Sequence, residues 1–487
     1  MKKKIISFLA VLSLAFTGCQ KYLEVEPANR RALESVNDIR VVLAGYLKVM
    51  KPGESVNHHE SLGDVTFFTP NSWSYFEFSS DNIDFQQDYA TYLDAMPNDK
   101  MEARLILKNE FSIPATIWVQ HYKCIGFFNV LLDALDKATG DDTEKAQLRN
   151  EMLVCQSIYY FKLLQYFSPY KDAAMGIPVY PSVDKPFTGL AIPRSSQQDV
   201  FRLITSQLEE AMNSAVEPDL SYNIFYNKYY ISNQLAQVYW YKAESGAAEG
   251  SDYANAKKYA RMAVTDALIP DNKDDYLKSL NGEFSGYPAM LRWGAWSAFQ
   301  QMPYGQLYGS LPFAPHASPD LLSIFDPEDI RYQTYIQPYN TIVRPQPDWP
   351  AAYNVAYTMF SPEEAYLINV ESTLKDANGA SETEARTLLN DFRKKRGLTT
   401  DFTGTDLQKE IVNERRREFI FRTDARWIDM KRYGIGSSLT GLQIYGKSYD
   451  VVMEPNGYQY ALPVPVEEEL KLNPAMTPNP GWNEILF

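Results

Sequence analysis

The densest concentration of reactive side chains in this sequence runs from Glu414 to Arg432, where Glu414, Arg415, Arg417 and Glu418 are followed by Arg426, Trp427, Asp429 and Arg432. Two glutamates one helical turn apart are the raw material of general acid–base chemistry, but a catalytic acid must hold its proton near neutral pH. Arginines on every side depress carboxylate pKa values and make that proton hard to keep. The same residues suit another task, because guanidinium and carboxylate groups pair through parallel hydrogen bonds that strengthen on burial. The spacing predicts a scaffold in which the arginines fasten one helix to another, with Trp427 supplying the apolar contact.

Other reactive patterns lose their meaning in context. Gly441-Leu442-Gln443-Ile444-Tyr445-Gly446-Lys447-Ser448 fits the phosphate-loop pattern GxxxxGK[ST]. That loop works only between a preceding strand and a following helix. Here Gly434, Gly436 and two serines come before it, and Tyr449 to Met453 reads as a short strand stopped by Glu454-Pro455-Asn456-Gly457. A β-hairpin with Asn456-Gly457 as its turn is the better expectation. His58-His59-Glu60 would need partners for a metal, and only His121 and His316 remain; adjacent histidines do not share a helix face, so a solvated loop and no metal are expected. There is no G-x-S-x-G elbow and no Cys/His pairing for a thiol nucleophile. Carboxylate pairs for glycoside hydrolysis depend on a separation that only the fold sets, so a surface glycoside hydrolase stays as an alternative.

The elements that must hold these residues are helices. Leu153, Tyr160, Leu164 and Phe167 share one helical stripe. A proline-rich crossing loop follows, and Ser195-Ser196 with Asp199 opens the next helix. Two helix pairs come later. Ile231, Leu235, Val238 and Tyr239 face Ala256, Ala260, Ala263 and Ala267 across a turn at 245–251, and Ala365 to Leu374 faces Ala385 to Phe392 across Ala377-Asn378-Gly379, with Gly397 ending the last helix. Pairs of this length with alanine-rich contacts predict divergent tetratricopeptide-like repeats stacked into a superhelical scaffold. Residues 288–350 hold ten prolines and three tryptophans with little helical period. The fold class is therefore mainly α, with long loops, a long aromatic one over 281–350, and a small β-hairpin near the C-terminus.

The start reads as an export signal. Met1, Lys2, Lys3 and Lys4 precede an apolar run from Ile5 to Phe16 that is too short to span a bilayer. Phe16-Thr17-Gly18-Cys19 places small residues directly before a cysteine, as lipoprotein signal peptidase requires. Residues 1–18 are expected to be a lipoprotein signal peptide, Cys19 the acylated residue and 19–30 a tether, with lipid as the anchor to the outer membrane. The net charge of −14 argues against nucleic acid, whose phosphates demand basic patches. Cys124 and Cys155 sit among apolar neighbours and are expected as buried free thiols.

The segment Leu407 to Gly434 resembles the signature of the SusD/RagB family, in which a helix with Glu-Arg-Arg-x-Glu leads into a second with Arg-Trp-x-Asp-x-x-Arg. Tyr460-Ala461-Leu462-Pro463-Val464-Pro465, Leu472-Asn473-Pro474 and Asn479-Pro480-Gly481-Trp482 are similar to the family's closing segment. With the lipoprotein start, the resemblance covers essentially the whole mature chain, divided as SusD-like regions over 31–215 and 216–487. It implies a non-enzymatic, surface-exposed, nutrient-binding lipoprotein without a cofactor. Such a protein captures oligosaccharides, or peptides in the RagB branch, and passes them to a SusC-like TonB-dependent transporter.

Sugar rings present apolar C–H faces to Trp and Tyr, while their hydroxyls need amide, carboxylate or guanidinium partners. Two stretches carry that mixture: Asn71, Trp73 and Tyr75 with Asp81 and Asn82, and Arg292, Trp293 and Trp296 continuing to Tyr304 and Tyr308. These are the candidate ligand residues. Trp118, Trp240 and Trp427 lie on helical stretches and are expected in the core.

Overall fold

The computed structural model describes residues 33–49, 76, 79–82, 112–180, 191–213, 226–281, 292–294, 317–336, 356–358, 361–420, 424–444 and 447–482. It is mainly helical. The helices are α1 (Val36–Val49), α2 (Ser112–Lys137), α3 (Asp142–Phe167), α4 (Gln197–Met212), α5 (Lys228–Lys242), α6 (Asp252–Ala263) and α7 (Lys273–Asn281). After strand β1 (Arg292–Gly294) come short α8 (Pro319–Ser323), α9 (Ile330–Tyr335) and strand β2 (Ala356–Thr358). The chain continues with α10 (Pro362–Lys375), α11 (Glu382–Lys395), α12 (Leu407–Glu418) and α13 (Ala425–Tyr433), and with strands β3 (Ser437–Ile444) and β4 (Lys447–Met453). No described helix is long and apolar enough to cross a membrane.

Each of α2 to α5 packs on its successor, α6 then packs directly on α10, and α10 on α11 and α12. This is a stack of divergent tetratricopeptide-like pairs. The stack has an inner and an outer layer, and the sequence of each helix says which. In α3 every residue from Val154 to Phe167 is buried, and α5 and α10 are likewise buried nearly all round. By contrast α4 buries a stripe of Val200, Phe201, Ile204, Leu208 and Ala211, α6 buries Ala256, Tyr259, Ala260 and Ala263, and α11 buries Ala385, Leu389 and Phe392. The small residues of α6 let it lie close to α5.

The helix ends carry the expected chemistry. Ser196 accepts a hydrogen bond from Asp199 N, Ser361 from Glu364 N with Pro362 following it, and Ser381 from Glu384 N. After α11, Gly397 adopts φ +84°, a conformation L side chains rarely take, with Ile330 and the Glu328 carbonyl pressed against its Cα. The buried core is aromatic at its centre: Trp118, Trp240, Trp427 and Trp482 are all within it. Cys124 and Cys155 are buried and free.

Two local expectations are corrected. The hairpin near the C-terminus exists, but Ile444 pairs with Lys447, so its two-residue connection is 445–446 and the phosphate-loop pattern lies within the ladder. Asn456 and Gly457 come after β4 instead. Asn456 has φ +59°, and its side chain sits against Gly434 at the end of α13, so the turn chemistry read there closes the link from the hairpin back to the helices. The stretch read as a long aromatic loop also contains regular elements: β1 pairs with β2 antiparallel, Arg292 opposite Thr358, and α8 and α9 are capped by Ser318 and Asp329. Helices of five and six residues are too short to show a period.

Candidate ligand-binding loops and the charged cluster at their base

α12 and α13 are among the most charged helices of the chain and among the most buried. Asp406 caps α12 by accepting from Lys409 N, and Gly434 ends α13 in the left-handed region. Between those ends, Glu414, Arg415, Arg417, Arg426, Asp429 and Arg432 are all buried. Charges in that position survive only if paired and hydrogen-bonded.

One knot forms around Glu414 and Glu418. Arg331 brings Nη1 to 2.8 Å from both glutamates while Nε and Nη2 hold Asp329 at 2.9 and 2.7 Å. Arg396 grips Glu418 with Nε at 2.9 Å and Nη2 at 2.7 Å. Arg417 donates to Glu414, to Glu410 at 2.6 Å and to the Ile324 carbonyl at 2.8 Å. Burial pushes the Glu414 carboxyl up, but the charges of Arg331 and Arg417 and a hydrogen bond from Arg417 outweigh it and hold the group at about 2. Glu418 is lowered too, by Arg396 and Arg331 against the same burial penalty. Neither glutamate has a proton to give at neutral pH. The knot therefore fastens α12 to α11 and to the segment that carries α8 and α9.

A second knot surrounds Trp240. Arg432 and Arg415 lie with their guanidinium carbons 3.9 and 4.2 Å from its ring centroid. The Trp240 indole N–H donates to Glu371 at 2.6 Å, and Glu371 also accepts from Arg432 at 2.9 Å and Tyr433 at 2.6 Å. Arg415 pairs with Asp429, Nη2 to Oδ1 at 2.9 Å. Burial raises the Glu371 carboxyl, and Arg432 first and Lys375 second pull it down to about 2.

The third contact reaches the N-terminal aromatic stretch. Arg426 holds Asp81 with two hydrogen bonds, and Arg416 donates to the Asn82 side chain at 2.9 Å and to the Asp81 carbonyl at 2.8 Å. Burial raises the Asp81 pKa, and Arg426 and Arg416 more than reverse it, leaving it below the ordinary value. Phe76, five residues earlier, stacks on Tyr166 at 4.5 Å between ring centroids and lies 6.0 Å from Trp427. Ser318 joins the other candidate loop to the same point: its hydroxyl donates to the Asp81 carbonyl at 2.6 Å and its N–H to the Asn82 carbonyl at 2.8 Å. Asp81 and Asn82, at the end of the first stretch, are thus hydrogen-bonded both to Ser318, which follows the second stretch in the chain, and to Arg416 of α12.

Of the residues singled out for ligand contact, Asn71, Trp73, Tyr75, Trp296, Tyr304 and Tyr308 lie outside the described residues, as do Cys19, expected to be acylated, and His58, His59 and His316. Arg292 and Trp293 are in β1. Asp81 and Asn82 are engaged within the protein, and Asn82 has no exposed surface, so they hold the base of the loop instead of lining its mouth. His121 is buried, its Nδ1 2.7 Å from the Ile117 carbonyl, and burial lowers its pKa to about 4. Sequence reading missed Asp329, Arg331, Glu371 and Arg396. A signal existed for Glu371, which follows the run from Ala365 to Val370 on a helix read as packed, where a buried carboxylate requires a partner.

Two family profiles match the chain. One, described as "Starch-binding associating with outer membrane", covers residues 21–239, and the other, described as "SusD family", covers 363–482. No curated protein matches in sequence. Among solved structures, a SusD superfamily protein from Bacteroides thetaiotaomicron aligns over 92% of this chain and 100% of its own, with 18% identity and a TM-score of 0.69. A SusD-like carbohydrate binding protein from Bacteroides vulgatus aligns over 91% and 97%, with 17% identity and a TM-score of 0.65. At such identities the structures establish the shared fold. The first profile takes in α1 to α4 and most of α5, the second the charged helices α12 and α13 and the hairpin, and on that ground the chain belongs to the SusD/RagB family.

Proposed function

We propose that this protein is a cell-surface lipoprotein, acylated at Cys19, that captures oligosaccharides on its two aromatic stretches and delivers them to a SusC-like TonB-dependent transporter. Membership of a family of outer-membrane binding proteins supports the nutrient-binding role. The observation that carries the choice of site is the pair of hydrogen bonds from Ser318 to Asp81 and Asn82. They join Asp81 and Asn82, which follow Asn71, Trp73 and Tyr75 in the chain, to Ser318, which follows Arg292, Trp293, Trp296, Tyr304 and Tyr308, and this supports treating the two stretches as one site. Aromatic and amide residues carried on two such stretches suit a sugar chain, and loops on a rigid scaffold are where binding residues concentrate. The protein acts by binding and leaves chemistry to others, since the buried glutamates of α12 hold no transferable proton.

Isothermal titration against oligosaccharide and peptide libraries tests this reading. Heat with oligosaccharides, lost in Trp73→Ala and Trp296→Ala, is the expected result; heat with peptides alone would overturn it. Sugar release from a polysaccharide by the purified protein would overturn the non-enzymatic part.

A further inference from the structure

A cavity of about 540 Å³ opens between the end of α3, α13 and the segment following β4, a volume within the range of about 300–1,000 Å³ typical of small-ligand sites. None of its lining residues belongs to the two aromatic stretches. Its buried lining includes Tyr170, Lys431 and Tyr460, and its rim includes Asp172, Asn456 and the half-buried Tyr458.

Lys431 sets this cavity apart. It is 1% exposed, and every other buried lysine or arginine among the described residues has a carboxylate at salt-bridge distance: Lys162 has Asp424, Lys242 has Asp252, Arg432 has Glu371. Lys431 has none among the described residues. Its Nζ donates to the carbonyls of Gln165 at 2.6 Å and Ser168 at 2.7 Å, where α3 ends. An ammonium group has three donors, so one is left. A helix C-terminus offers only about half a unit of negative charge, so the lysine's charge lacks a full counter-charge within the protein.

We propose that this cavity is a second ligand site, which takes a carboxylate-bearing sugar of the hexuronate class, with the carboxylate on Lys431 and the ring against the tyrosines. An anion supplies what the buried ammonium lacks, and a charge-assisted hydrogen bond is the strong kind. Tyr458, held edge-on to Trp482 with ring centroids 5.1 Å apart, presents a fixed aromatic surface for the C–H face of the ring. Asn456 on the rim supplies an amide for hydroxyls.

Calorimetric titration of the full chain in detergent with digalacturonate, with glucose as the neutral control, tests the proposal. Digalacturonate should bind where glucose does not, and Lys431→Met should weaken it about tenfold. Because a buried lysine variant can fail to fold, two rim variants carry the test independently. Asp172→Asn removes a like charge while keeping the acceptor used by Ala174 N, and should tighten binding about threefold; Tyr458→Ala should weaken it. The titration is repeated in Trp73→Ala and Trp296→Ala, where the loops no longer take oligosaccharides: the digalacturonate heat that persists there, and responds to the rim variants, belongs to this site. Absence of digalacturonate binding, equal binding of glucose, or indifference to both rim variants overturns the proposal. So does a site that accepts a tripeptide with a free C-terminal carboxylate and refuses the sugar.

Discussion

Arg426 and Asp81, 345 residues apart in sequence, meet as a two-armed pair with Nε 2.6 Å from one carboxylate oxygen and Nη2 2.7 Å from the other. The pair ties the base of the N-terminal aromatic stretch to the most charged part of the helical stack. Removing the carboxylate in Asp81→Ala leaves Arg426 buried without its partner, and equilibrium urea unfolding should show a loss of about 3 kcal/mol. Arg426→Lys keeps the charge and loses the fork, so it should recover less than half of that. Full recovery by lysine would mean that charge alone is at work.

The depressed carboxylates set the acid limit of stability. Glu414 and Glu371 lie near 2 in the folded protein against an ordinary value of 4.5, so the unfolded chain binds more protons between those values. Their contribution is complete above about pH 4.5 and is lost as pH falls toward 2. Melting temperature should therefore drop steeply across that window. In Glu414→Gln the protein should be less stable at pH 7 and its acid slope shallower; an unchanged slope would count against this account.

Trp240 carries two guanidinium groups on its ring and donates its indole N–H to Glu371. Trp240→Phe keeps a ring but removes the donor, and should cost about 2 kcal/mol by denaturant unfolding. Trp240→Leu removes the π face as well, and the difference between the two variants, about 1–2 kcal/mol, reads the cation–π contribution.

Burial pushes the Cys124 thiol up to about 12 and Cys155 well above its ordinary value. Neither forms thiolate at neutral pH in the folded state. Both should resist an aromatic disulfide reagent at pH 8 until denaturant is added, with labelling that follows unfolding. Fast labelling of the native protein would show that the core of α2 and α3 opens readily.

The helix pairs were legible because their period is repeated and their turns use glycine, asparagine and serine, as at Ser381 and Gly397. The packing of arginine against glutamate in α12 and α13 was also written in the residue types. Its partners were not: Arg331 and Arg396 come from distant stretches with nothing local to mark them, and Asp81 meets Arg426 only through the whole fold. The hairpin was found and its turn misplaced, since Asn456-Gly457 is the stronger local turn sequence while the ladder closes at 445–446 by strand pairing. For the candidate ligand residues, sequence supplied the aromatic character, and the hydrogen bonds of Ser318 supplied the reason to consider the two stretches together.

α6 touches α10 directly, and the segment between them is fastened to the stack again at Ser318, Ile324 and Arg331. Lengthening such an excursion is cheap: each doubling adds only about 0.6 kcal/mol of closure entropy. Insertions and deletions between those anchors can accumulate without disturbing the solenoid, so a lineage of these proteins is free to vary what it binds while keeping its skeleton.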